Sequence, residues 1–377
     1  MEFRIWMSLS VVCLFAALAI TPPTYAQGHI IVFDAPGAAT VSSPECAPDC
    51  GTLPLANNDW GVIVGFYTDE NIVPHGFLRK PDGKIISFDA PGAGLGHGLD
   101  QGTVAASINN LGVIAGQDQD SSYVFHGFVR YPNGSFTTFD APGAGTGAFQ
   151  GTVACYLNLE GETAGFYIDG NNVFHGFVRS PFGKFTSFDP PGSVGTFCFN
   201  ANGLNNWGAV TGYYVDATNT YRGFVRQPDG KITAFDGPNL IKGGFWGTIP
   251  ESIDDLGVIG GYYHYVNDHR PHAFVRYPDG TLTVYDDPEG GTGYEQGTFG
   301  GRRNLWGAST GGYTDSNNVG HAFYRSPDGN FTNFDAPGAG KGPYPQGTVP
   351  YSINAWGQVV GLDTDANTLN HGFVWWP

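Results

Sequence analysis

Glu251, His264 and Arg302 supply a carboxylate, an imidazole and a guanidinium, the side-chain types that combine proton transfer with recognition of an anion. Gathered in one cleft, they define a candidate catalytic group for a glycan-active enzyme, a polysaccharide lyase or a hydrolase. In the lyase form, Arg302 or Arg303 neutralises a uronate carboxylate while His264 or a nearby tyrosine takes the adjacent proton. The competing reading is a plain Glu–Arg ion pair between neighbouring strands. A second set of residues suits binding rather than reaction. Trp246, Tyr294 and Tyr344, with Phe149 and His97, lie in glycine-rich stretches such as "GLGHGLDQ" (94–101) and "GGTGYEQ" (290–296). Aromatic rings on such loops can stack on the faces of sugars. Arg303 joins them as a candidate ligand-binding residue.

Histidine and aspartate also recur in a series, which at first suggests an acid–base dyad. His75, His126, His175, His272, His321 and His371, with Arg222 in the fourth unit, return at intervals of about 50 residues. Asp34, Asp89, Asp140, Asp189, Asp236, Asp286 and Asp335 form the companion series. A group used once in every unit answers a need shared by every unit. The expectation is therefore a buried His–Asp pair that fixes strand register, with no catalytic role. Arg79, Arg130, Arg179, Arg226, Arg276 and Arg325 recur in the same way and are expected to point outward or to pair with acids.

The period that carries these residues is a run of four short β-type segments. In the second full unit, "GTVAASIN" ends in the turn "NNLG", "VIAGQDQD" breaks at an Asp/Ser cluster, "HGFVRYP" closes with "PNG", and "SFTTFDAPGAG" ends in Pro and Gly. Four antiparallel strands per period is the pattern of a propeller blade. The last third-strand motif, "HGFVWWP", ends the chain without a fourth strand, and the first fourth-strand motif, "HIIVFDAPGA" (29–38), has no strands before it. The sequence thus predicts an all-β fold, a seven-bladed β-propeller of four-stranded antiparallel blades. Its ring is closed by the N-terminal strand completing the C-terminal blade, which leaves no exposed edge.

The triplet His-Ala-Phe at 272–274 and 321–323, with His-Gly-Phe in most other units and a departure at Arg222, resembles the extracellular HAF-repeat family. The resemblance spans nearly the whole mature chain. It implies a secreted bacterial β-repeat protein and brings no catalytic residues with it.

Residues 1–26 read as a signal peptide: Arg4, an apolar run from Val11 to Ile20, and a small-residue cleavage site at Thr24-Tyr25-Ala26. That run is about half the roughly 20 residues a membrane span needs. Residues 27–377 are expected to form the single propeller domain, secreted or periplasmic. A net charge of −17 repels nucleic acid, anionic membranes and polyanionic glycans at long range. Four cysteines remain after the leader, and an even count in an exported chain favours two disulfides. Of the three possible pairings, the spacing favours Cys46–Cys50 and Cys155–Cys198. "DGNN" (169–172) and "DSNN" (315–318) gather oxygen ligands of the kind calcium takes, but without the spacing of a calcium loop. Side-chain-capped turns are expected there, and no metal or cofactor. The function expected is a binding or interaction module for polysaccharide or another cell-surface ligand, with the enzyme as alternative.

Overall fold

The computed structural model describes residues 28–98, 101–198, 202–244 and 246–377, and the leader expected over 1–26 lies outside the described residues. The regular elements among the described residues are all β-strands. No helix among them is long and apolar enough to cross a membrane. The strands follow one another in antiparallel sets of four. In the third repeat, Gly151–Leu157, Thr163–Ile168, Phe174–Arg179 and Phe185–Phe188 pair in chain order. Short parallel contacts, such as Phe125 beside Gly151, join a third strand to the first strand of the next set. Sets of this form are the blades of a propeller.

Each residue of the repeated triplet has its own task. The phenylalanine (Phe77, Phe128, Phe177, Phe224, Phe274, Phe323, Phe373) is fully buried and joins the apolar layer between adjacent sets. The glycine makes room for the fourth strand: a Cβ on Gly76 would lie 2.8 Å from the Phe88 ring, and one on Gly127 even closer to Phe139. The histidine bonds the fourth-strand aspartate through Nδ1, at 2.8 Å for His75–Asp89 and 2.9 Å for His126–Asp140. Arg222 holds Asp216 and Asp236 in the same place. The pairing is as expected, but these pairs are half-exposed rather than buried, because the fourth strand is the outermost of its set.

The repeated arginines correct the sequence reading. They do not point outward to acids but lay their guanidinium groups over the fourth-strand aromatic of the preceding set. Arg79 lies 4.7 Å from the Phe33 ring, Arg179 4.4 Å from Phe139 and Arg325 4.4 Å from Tyr285. The apolar layer between sets takes in the long arginine stem, and the ring face accepts the charge.

The two ends of the chain meet. His29–Phe33 pairs antiparallel with Asn370–Trp376, His29 opposite Trp376 and Phe33 opposite Gly372. Asp34 then bonds His371 at 2.9 Å, so the repeated His–Asp pair is made here between residues from opposite termini. Cys46 and Cys50 form a disulfide, as expected, and the Cys50 carbonyl accepts the Asn370 amide at 3.0 Å. The second expected disulfide is absent: Cys155 and Cys198 are free thiols. Both are packing residues of one buried cluster with Tyr156, Phe166 and Tyr214, and the Cys155 thiol faces the Val153 carbonyl of its own strand. Burial pushes both thiols up, which keeps them protonated and unreactive.

Candidate functional site

The turn after each first strand is a side-chain clamp. Asn205 accepts the Trp207 and Ala209 amides at 3.1 and 2.9 Å through Oδ1, and its Nδ2 donates to the Asp254 carbonyl of the next repeat at 3.0 Å. Asn58, Asn109, Asn158, Asn304 and Asn354 do the same, and Asn354 donates to the Asn58 carbonyl, which links the last repeat to the first. The fifth repeat has Asp254 in place of asparagine. Arg303 compensates, donating to the Asp254 carboxylate at 3.2 Å and to the Gly307 carbonyl at 3.0 Å. These turns surround a cavity of about 240 Å³ lined by every repeat. Around it stand Trp60, Trp207, Trp306 and Trp356, 51–72 % exposed, with exposed Leu111 and Leu256 between them. The sequence reading passed over these tryptophans, although "NDWG", "NNWG", "NLWG" and "NAWG" mark them in four repeats.

Arg303 therefore belongs to this turn end, apart from the aromatic residues with which the sequence grouped it. Arg302, the next residue along the strand, faces the other way, as strand alternation requires. Its Nη2 pairs with Glu251 Oε1 at 3.3 Å, and its guanidinium lies 5.4 Å from the Tyr351 ring. The pair is sealed, with side chains 11 % and 8 % exposed. Burial pushes the Glu251 carboxyl up and the Arg302 charge opposes that shift. His264 does not complete an acid–base group with them. It packs edge-on against Trp246 at 4.5 Å and Tyr262 at 5.7 Å, and burial pushes its pKa down to about 4. A catalytic group must reach its substrate, whereas Glu251 and Arg302 here are buried against each other, with Glu251 Oε2 and Arg302 Nε left without a hydrogen-bond partner. The sequence-based trio is thus an ion pair plus a separate, neutral imidazole.

Trp246 and Tyr294, placed together by the sequence, do meet. Trp246 opens the strand Trp246–Ile253, and His264 ends the adjacent Ile259–His264. Trp246 contacts His269 at 5.9 Å and Tyr294 at 6.3 Å, and His269 lies 5.2 Å from Tyr294. His269 sits at φ 57°, and the matching residue of every repeat also has a positive φ, but its amide reaches back four residues to the Tyr265 carbonyl where the other turns reach back three. Tyr294 is the exposed outer face of the group, at 62 %. Tyr344 and His97 are also exposed, but each stands at its own boundary between sets. Tyr344 is tied by its amide to the Asn318 carbonyl, and Phe149 stacks on Tyr123 at 5.8 Å. One aromatic platform results, where five residues of a common rim were expected.

The Asp/Asn loops are capped turns, as expected: Asp169 Oδ1 accepts the Asn171 and Val173 amides, and Asp315 Oδ1 those of Asn317 and Val319. Among the described residues, no group of three or more His, Cys, Asp or Glu side chains is placed to hold a metal ion.

No protein-family model and no curated protein matches this chain. Solved structures do. A puromycin hydrolase mutant complexed with PGG superposes with a TM-score of 0.54 at 12 % identity, over 87 % of this chain and 53 % of that one. A second puromycin hydrolase structure gives 0.52 at 12 %, over 89 % and 54 %. This chain thus spans about half the length of that hydrolase. A lectin from Burkholderia pseudomallei gives 0.52 at 10 % identity, over 86 % of this chain and 96 % of the lectin. These are β-propeller proteins, and at such identities the likeness is one of fold. The class is an all-β propeller.

Proposed function

We propose that this chain is an exported, closed seven-bladed propeller of the HAF-repeat type that binds carbohydrate. The pairing of His29–Phe33 with Asn370–Trp376 and the Asn354–Asn58 bond support ring closure within a single domain, residues 27–377. The Cys46–Cys50 disulfide suits a secreted or periplasmic location. The observation that carries the binding role is the platform of Trp246, His269 and Tyr294, packed together where the repeat departs from its pattern. With its pKa at about 4, His264 beneath is uncharged at neutral pH, so it adds no positive charge under the ring faces of Trp246 and Tyr294. That suits the C–H face of a neutral sugar. The test is glycan-array binding followed by calorimetry on the full chain. Trp246→Ala and Tyr294→Ala should each weaken binding of a selected neutral glycan about tenfold or more, roughly 1.4 kcal/mol. Unchanged affinity in both variants refutes the assignment.

A further inference from the structure

The residue opposite the repeated histidine, on the second strand, is tyrosine in five repeats and aspartate in two. Tyr67, Tyr167, Tyr263 and Tyr313 face His75, His175, His272 and His321, and Tyr214 faces Arg222. The rings lie against the imidazoles, at 5.2 Å for Tyr67–His75 and 4.9 Å for Tyr313–His321. Their far ends fill the gap to the Pro-Gly turn of the preceding set: a Cβ on Gly37 would lie 3.4 Å from Tyr67 Oη, and one on Gly143 3.5 Å from Tyr167 Oη. In the second and last repeats, Asp118 and Asp363 take this place opposite His126 and His371.

An aspartate is far shorter than a tyrosine, and at the second repeat the space stays open. A cavity of about 360 Å³ lies between the Pro91-Gly92 turn and Asp118, His126, Phe139 and Asp140. Asp118 is 1 % exposed and Asp363 0 %, and neither carboxylate oxygen of either residue has a hydrogen-bond partner. A buried carboxylate with no partner is costly, and the usual remedies are a cation or a donor. His126 does not supply it, since its Nδ1 is committed to Asp140 at 2.9 Å and its Nε2 faces Asp120 at 3.7 Å. Three carboxylates around one imidazole leave the cavity net negative even when His126 is protonated. The field of a chain with net charge −17 draws cations toward it.

We propose that this cavity binds a protonated amino sugar, its ammonium group seated on the Asp118 carboxylate. The assignment rests on the carbohydrate-binding reading of this chain and adds a second site, separate from the Trp246 platform. The volume lies within the range of small-molecule sites. Pro91 gives the sugar an apolar edge, and the half-exposed Asp140 accepts hydroxyl protons at the mouth. An ammonium brings three donors to a lining that offers mainly acceptors. The carboxylates are not gathered as ligands of one metal ion.

The experiment is calorimetric titration of the full chain at pH 7 with glucosamine tetramer and with its fully N-acetylated counterpart. The glucosamine tetramer should bind, and Asp118→Asn should weaken it at least tenfold without lowering Tm, because a buried charge is removed. The N-acetylated tetramer should not compete at this site. Trp246→Ala should leave Asp118-dependent binding unchanged. Equal affinity in wild type and Asp118→Asn overturns the proposal, as does equal binding of the acetylated tetramer. Saturation by calcium alone, with no amino-sugar binding, also overturns it. Neutral-glycan binding lost in Trp246→Ala, with no response to glucosamine, overturns this proposal and keeps the wider function. Glucosamine binding lost in Asp118→Asn, with no Trp246-dependent glycan, has the opposite meaning.

Discussion

The turn end and the loop end of this propeller are built from the same repeats and end in opposite conditions. At the turn end the clamp asparagines are spent, as Asn205 shows with Oδ1 on two amides of its own turn and Nδ2 on the next repeat, and among the described residues only Asn57 beside them keeps an unpartnered Oδ1. Where Asp254 interrupts the series, its carboxylate accepts from Arg303 of the next repeat instead. At the loop end the repeat varies, and unsatisfied groups gather where it does. His264 and His269 leave Nδ1 without a partner, and Asp118 and Asp363 leave both oxygens so. Symmetry in a repeat protein lets one solution to polar burial be used in every unit. Departure from it removes the solution, and the leftover groups are where a ligand has something to offer.

The largest effect expected from breaking the turn-end order is at ring closure. A variant lacking residues 1–33 leaves the Asn370–Trp376 edge, with buried Val374 and Trp375, unpaired. Tm should fall by more than about 10 °C in differential scanning calorimetry. An open array would lose only a few degrees, and that result would refute closure.

Next in size is the burial of the two aspartates. Burial holds Asp118 at about 6 and Asp363 at about 7, above the ordinary 3.8. His126 with Asp140 and Asp120 faces the first, and His371 with Asp34 and Asp365 the second. A raised folded-state pKa means that the folded form holds its proton more tightly than the unfolded form. The cost of the carboxylate is therefore absent below about pH 4 and grows as pH rises, reaching its full value above about 7. It amounts to about 3–4 kcal/mol per residue. Asp118→Tyr and Asp363→Tyr should each raise stability at pH 7, and the Asn variants should flatten the slope between pH 4 and 7 in denaturant titrations. A wild type whose stability rises over that interval contradicts this account.

The clamp itself ranks third. Asn205→Ala orphans the Asp254 carbonyl and two amides at the turn, costing about 2–3 kcal/mol. A chemical-denaturation midpoint shift worth less than about 1 kcal/mol would show that the clamps are ornamental to stability.

The all-β propeller class was legible in the sequence because the same four-strand pattern returns in each repeat. The glycine of His-Gly-Phe, the "PDG" turns and the unmatched strand at each end each imply a definite place. The arginines were misread because stacking on an aromatic ring from the preceding repeat is a contact between units, and periodicity within one unit does not reveal it. Cys155 and Cys198 were paired on spacing alone, which says nothing of where the sulfur atoms point. The candidate site was legible only in part. Trp246 and Tyr294 meet because two irregular loops face each other, but Glu251 and Arg302 are one residue out of repeat register and close on each other. Asp118 was hidden for a different reason: its meaning comes from the tyrosine that the other repeats carry, a comparison visible only once the strands are in register.

The smallest effects on stability decide most sharply which end binds. Tyr294 and Trp207 are both exposed aromatic residues, at 62 % and 72 %, and neither holds up the core. Tyr294→Ala should change stability by less than about 0.5 kcal/mol. Trp207→Ala loses one bond, from Nε1 to the Asp255 carbonyl at 2.9 Å, and should cost about 0.5–1 kcal/mol. Their binding consequences should separate the other way. Tyr294→Ala should abolish most glycan affinity, because its ring faces a platform with polar groups still unspent. Trp207→Ala should leave affinity within twofold, because the asparagines beside it have no bond left to give. If Trp207→Ala and Trp306→Ala weaken glycan binding while Tyr294→Ala does not, exposed rings alone make the site and unspent polar groups do not matter. The contrast between the two ends would then have to be read in reverse.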